Sequence, residues 1–119
     1  MTKNLDIEGL SSIVDNYQLF YVDLWGVIHN GVSLYPEAIK ALKEITKRKK
    51  EYVLLTNAPR PNNAVKSFLE KLGMEKEIRD HVFSSGEAAL VYLKKNLLNQ
   101  SFFHVGALRD FYLFKDFEK

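Results

Sequence analysis

Two rhythms of apolar and polar residues alternate along this chain. Short apolar runs at Leu19–Val22 and Tyr52–Leu55 are bounded by polar residues, which predicts strands buried in a sheet. Longer stretches carry apolar residues at helical spacing. Leu10, Ile13 and Val14 predict a leading helix over residues 5–16. Pro36 and Glu37 suit a helix start, and Ala38, Ile39, Leu42 and Ile45 form its buried stripe. Val65, Phe68, Leu69 and Leu72 place a further helix from about Asn62 to Leu72, stopped by Gly73. Val82-Phe83 predicts a short third strand. Ser84 and Glu87 have the spacing of a capping box, opening a helix to about Lys95. Phe102 to Gly106 is read as a fourth strand, followed by a tail rich in Phe and Asp.

The predicted order is helix, then strand–helix three times, then strand. That alternation predicts an α/β fold, a parallel sheet with flanking helices joined by right-handed crossovers. Three or four parallel strands make a thin sheet, and such sheets are normally covered on both faces. Part of the domain is therefore expected to lie outside this chain.

Composition narrows the function classes. The 119 residues suffice for one small core, and a net charge of +2 gives no argument for nucleic acid. With no cysteine, disulfides, thiol catalysis and cysteine-based zinc sites are excluded. The N-terminus has no apolar run of signal-peptide length, and the longest apolar stretch, Leu19 to Ile28, is broken by Asp23. A cytoplasmic protein without membrane contact is expected. The basic run Lys47 to Lys50 is read as a solvated helix end rather than a phosphate or nucleic-acid patch.

Asp23 and Thr56 each close a predicted strand, one βαβ unit apart. Ligands of open α/β sheets bind beyond the carboxyl ends of the strands. A carboxylate there can act as a nucleophile, and a hydroxyl with loop N–H groups can hold phosphoryl oxygens. Strand-end Asp and Thr are equally common as turn or helix caps, so both readings stand on spacing alone. Of three scattered histidines, His29 is placed near this loop, where a loop hydrogen bond is favoured over ligand contact.

Phe20-Tyr-Val-Asp-Leu-Trp-Gly-Val-Ile-His-Asn-Gly31 resembles the first motif of the haloacid dehalogenase-like (HAD) superfamily, and Val53-Leu-Leu-Thr-Asn-Ala-Pro-Arg-Pro61 its second. Phe83 to Leu93 and Phe103 to Gly106 are similar to the class IIA branch, in which an α/β cap is inserted after the second motif. The resemblance implies a partial Rossmann-like core over residues 1–100 and the beginning of a truncated cap over 101–119. It also implies a phosphatase or phosphotransferase working through an aspartyl-phosphate on a small phosphorylated molecule. Asp23 would be the catalytic nucleophile. Thr56, Asn57 and Gly26 would bind the phosphoryl group, and the Asp23 carboxylate with the Trp25 backbone carbonyl would bind Mg2+.

The chain departs from that pattern twice. Trp25 stands where typical phosphatases carry a second aspartate that protonates the leaving group and activates water. An indole N–H only donates a hydrogen bond. A branch of class IIA carries Asp-x-Trp-Gly, so the tryptophan reads as a family trait. The lysine of the third motif and the acids of the fourth are not found after Thr56. Asp110 and Asp116 are read as surface acids, and Phe102, Phe103, Phe111, Tyr112, Phe114 and Phe117 as cap core that is exposed on this chain. Little or no hydrolysis is thus expected of the isolated chain. The alternatives are a non-catalytic module that binds phosphate or a partner chain supplying the missing half, and a truncated gene remnant.

Overall fold

The leading helix stops after a single turn. In the computed structural model, which describes residues 5–117, α1 spans Leu5–Glu8 and is followed by 3-10 turns at Leu10–Ser12 and Val14–Asn16. Gly9 has a φ of 71°, and Ser12 Oγ donates to the Gly9 carbonyl at 2.9 Å. The continuous helix expected over residues 5–16 is therefore broken, because a positive φ leaves the helical region and a serine hydroxyl competes for the backbone.

Three strands, β1 (Leu19–Asp23), β2 (Glu51–Thr56) and β3 (Val82–Ser84), form a parallel sheet of order β1-β2-β3. Leu54 of β2 faces Val82 and Thr56 faces Ser84. The helices are α2 (Pro36–Lys47), α3 (Asn62–Lys71), α4 (Lys76–Arg79) and α5 (Ser85–Asn96). The α/β class and parallel sheet expected from the sequence are thus observed. The chain divides into two compact units, up to Val53 and from Leu54 onward.

In the first unit, Pro36 opens α2, which buries Leu42 and Ile45; Val14, Leu24, Ile28 and Tyr52 are buried in the same unit. The helix ends with Lys49 in the left-handed region at φ 59° and Lys50 N–H bonded to the Ile45 carbonyl at 3.1 Å. Arg48 pairs with Asp15 at 3.1 Å and Lys47 with Glu44 at 3.1 Å, so the basic run is a solvated, paired helix end. β1 differs from its expectation. Leu19 and Tyr21 are exposed and Phe20 and Val22 half-buried, because β1 ends the strand order and is not enclosed by the described residues.

In the second unit, Leu54, Val65, Leu69, Met74, Ile78 and Val82 make the core, with Leu54 and Leu69 fully buried. The predicted fourth strand is absent among the described residues. Residues 102–105 take no regular structure, and Leu108–Phe114 forms a 3-10 helix. The aromatic side chains of this stretch find partners close in sequence instead. Phe102 meets Phe117 edge-on at 5.3 Å, and His104 lies 4.9 Å from Phe111 and 5.3 Å from Phe114. Phe117 is buried while Phe103 is 93% exposed, so only part of the tail is exposed as expected.

Candidate active site

Asp23 closes β1 with an exposed side chain, and the chain turns at once into a loop that is bonded to itself. Leu24 N–H donates to Asp23 Oδ1 at 2.8 Å, which fixes the carboxylate against its own backbone. The Leu24 carbonyl accepts from Ile28 and His29, and Gly26 N–H donates to the His29 carbonyl at 2.8 Å. Gly26 has a φ of 77°, a conformation open to glycine at little cost. Leu24 and Ile28 anchor the loop in the core at 2% and 1% exposure. Asn30 Oδ1 then accepts from Val32 N at 2.9 Å and Ser33 N at 2.8 Å, an Asx turn that leads towards α2.

His29 is the strut of this loop. It is buried, and its Nδ1 accepts from Gly31 N–H at 3.0 Å. The loop hydrogen bond favoured from the sequence is therefore present. An accepting Nδ1 means that neutral His29 carries its proton on Nε2. Burial lowers its pKa, and the nearby Asp23 charge opposes that shift more weakly. The unfolded chain therefore binds a proton at the ordinary histidine value before folded His29 does, and stability rises with pH between the two values. We expect stability to be full at neutral pH and to fall as pH drops below about 6.5, levelling off beneath the folded value. Urea midpoints of wild type and His29→Asn, whose amide oxygen can accept the same bond, check this across that range. An unchanged pH slope in the variant would contradict it.

In the second unit, Thr56 closes β2 half-buried, and Asn57 follows it exposed. Thr56 Oγ1 accepts from Ala58 N–H at 3.2 Å, a bond that does not use the hydroxyl proton. The loop after Thr56 is held by α5. Gly86 N–H and Ser85 Oγ donate to the Ala58 carbonyl at 3.2 and 3.0 Å, and Ser84 Oγ donates to the Arg60 carbonyl.

The capping box forms only in half. Glu87 N–H donates to Ser84 Oγ at 3.1 Å, but the Glu87 carboxylate does not return to the Ser84 backbone. It accepts from Asn62 N–H at 2.8 Å, at the start of α3, while Asn62 Oδ1 accepts from Ser84 N–H at 2.9 Å. Two helix starts thus exchange caps and clamp the loop between them. Sequence reasoning missed Asn62 and Gly86 in this role. The signal was present in Asn62, directly after Pro61 at the helix start, and in glycine one residue before Glu87.

Gly86 has no room for a side chain. A Cβ there would lie 2.3 Å from Arg60 N and 2.5 Å from Arg60 O, both backbone atoms. We expect Gly86→Ala to destabilise the fold by about 1–3 kcal/mol, as overpacking does. A lowered urea midpoint at unchanged slope is the expected signature, and a wild-type midpoint would contradict it.

The sequence-derived site residues therefore fall at two strand ends. Asp23 ends β1, with Trp25, Gly26 and His29 in the loop that follows, and Thr56 ends β2, with Asn57 directly after it. Among the described residues, no group of three or more His, Asp or Glu side chains is placed to hold a metal ion. The oxygens that the family resemblance assigns to Mg2+ are the Asp23 carboxylate and the Trp25 carbonyl. Mg2+ demands a near-octahedral shell of six oxygens, so these two alone do not make a resident-ion site. Among the described residues no helix is long and apolar enough to cross a membrane.

Fold and loops together define a parallel α/β core with an acid at the end of its first strand. Residues 20–116 match the haloacid dehalogenase-like hydrolase family, and the chain belongs to that family. Phosphatases of the family generally use Mg2+. Phosphoglycolate phosphatase 2 of Arabidopsis thaliana is 35% identical over 98 residues, which cover 77% of this chain and 31% of that protein. A haloacid dehalogenase-like hydrolase from Brucella suis 1330 superposes with a TM-score of 0.77 at 29% identity, covering 92% of this chain and 41% of that one. The 4-nitrophenylphosphatase of Thermotoga maritima shares the fold, with a TM-score of 0.68 at 23% identity over 87% of this chain and 40% of that one. The chain thus spans under half the length of each of these relatives.

Proposed function

We propose that this chain carries the phosphoryl-accepting part of a HAD-like phosphatase of the class IIA branch, with a core over residues 1–100 and the start of a cap over 101–119. The observation that supports it most is the exposed Asp23 carboxylate at a strand end, on a loop held rigid by its own backbone. An Asp23 oxygen attacks the phosphorus of a small phosphate ester. An O–P bond forms to Asp23, the P–O bond to the leaving group breaks, and the leaving oxygen takes a proton from solvent. Water then cleaves the acyl phosphate. Thr56 O–H and the Asn57 amide donate to phosphoryl oxygens, and Gly26, lacking a side chain, leaves room for them. A Mg2+ ion bound together with the phosphate would take two of its ligands from the Asp23 carboxylate and the Trp25 carbonyl and would offset charge on the phosphoryl oxygens. The setting is cytoplasmic.

Because Trp25 cannot serve as acid or base, the second step is slow, and phosphoryl acceptance outruns hydrolysis. Mixing the chain with an aryl phosphate and magnesium should release aryl alcohol in a burst stoichiometric with chain, leaving a hydroxylamine-labile phosphoryl group. Steady turnover with no burst, or no release at all, would count against the proposal. A second reading is supported by the exposed Leu19 and Tyr21 of β1, an apolar edge suited to a partner chain that extends the sheet. It predicts a defined heteromeric complex that Tyr21→Lys dissolves.

A further inference from the structure

Trp25 is the single tryptophan of the chain, two residues after the proposed phosphoryl acceptor. It is 64% exposed, yet it is fixed rather than loose. Its ring meets His29 edge-on, with centroids 5.4 Å apart and planes at 89°. One end of the indole lies over Gly31, so closely that a Cβ on that glycine would sit 2.4 Å from Trp25 Cη2. Its backbone is bridged to His29, and His29 is in turn locked to Gly31 by the Nδ1 bond. A large aromatic surface that is both open to solvent and held in place from one side contributes little to the core. It is pre-organised to receive a flat group, since a fixed ring loses little freedom when something stacks on it.

Leaving-group chemistry points to the same class of ligand. No acid stands at position 25 to protonate the departing oxygen, so that oxygen carries most of the developing negative charge until solvent protonates it. Phenolates leave far more readily than alkoxides, because phenols are much stronger acids than alcohols. The residue that withholds the proton is therefore also the one that offers a stacking surface to an aromatic leaving group.

We infer that Trp25 is a substrate-binding platform that selects phosphate esters of planar aromatic alcohols over alkyl esters. This rests on the proposed role of Asp23 for the position of the phosphate, and the test separates the two. The indole fluorescence of the wild-type chain is titrated with phenylphosphonate, which cannot be hydrolysed at its P–C bond, and with an alkyl phosphonate of similar size. Phenylphosphonate should quench the emission saturably, at a concentration roughly tenfold below that needed for the alkyl compound. Asp23→Asn should keep this preference, since stacking needs no nucleophile. Trp25→Phe should retain most of it and Trp25→Leu should lose it, both read by calorimetry. Gly31→Ala, which displaces the ring without removing it, should shift the emission of the free chain and weaken the aryl preference.

Equal response to both phosphonates, or response to neither, would overturn the platform, even with phosphoryl acceptance at Asp23 intact. Unchanged aryl preference in Trp25→Leu would overturn it as well. An aryl preference in a chain that never accepts a phosphoryl group would leave the platform standing and remove the role of Asp23.

Discussion

Replacing Asp23 by Asn should abolish phosphoryl acceptance, with a loss of at least about 10⁴-fold in the rate of aryl alcohol release. The carboxamide keeps the shape and can still accept the bond from Leu24 N–H, now 2.8 Å from Oδ1. It is a far poorer nucleophile, because its oxygen carries no charge to place on phosphorus. The side chain is exposed and its neighbours Leu24 and Ile28 carry the packing, so the fold should survive. Stopped-flow release of aryl alcohol measures the loss, and circular dichroism confirms the fold. A folded Asp23→Asn chain with wild-type release would show that chemistry resides elsewhere.

The second large effect runs in the opposite direction. Trp25→Asp should raise turnover of an alkyl phosphate by roughly 10²–10⁴-fold, the usual worth of a positioned acid/base. Alkoxide leaving groups need a proton most, and the acyl phosphate needs an activated water. The backbone of residue 25 is set by its bridge to His29, and the turn at Gly26 does not depend on the indole, so the new carboxyl starts from the same loop. Loss of the ring should weaken aryl ligands at the same time. Steady-state assays with paired alkyl and aryl phosphates check both effects. Unchanged alkyl turnover in Trp25→Asp would mean that residue 25 does not face the leaving group.

The parts of the fold legible in the sequence were those with strong local periodicity. Leu42 and Ile45 in α2, and Val65 and Leu69 in α3, are buried as their spacing predicts. The strand ends at Asp23 and Thr56 were marked by apolar runs meeting polar residues. Where the pattern misled, a competing local interaction decided. Gly9 interrupts an otherwise helical stripe, and Phe102 turns to Phe117 rather than joining the sheet. α4, only Lys76–Arg79, is too short to show a period.

Around the candidate site, the strand-end and loop positions of these residues were legible but their support was not. His29 could be placed in the loop after Asp23, and its hydrogen bond to Gly31 followed from ordinary loop chemistry. The exchange of caps between Asn62 and Glu87 could not be read, because it joins residues 25 apart in sequence. The capping-box spacing gave Ser84 its correct partner and Glu87 the wrong one. The seating of the Trp25 ring over Gly31 likewise depends on a close approach that no spacing rule encodes.

The proposed phosphoryl acceptor, Asp23, can be identified chemically. Reaction of the chain with an aryl phosphate and magnesium, followed by borohydride reduction, converts an aspartyl-phosphate to homoserine at the modified position. Peptide mapping should place homoserine at position 23, and its yield should match the burst of aryl alcohol. Aryl alcohol released with the label on another residue, or with Asp23 unmodified throughout, would contradict the account.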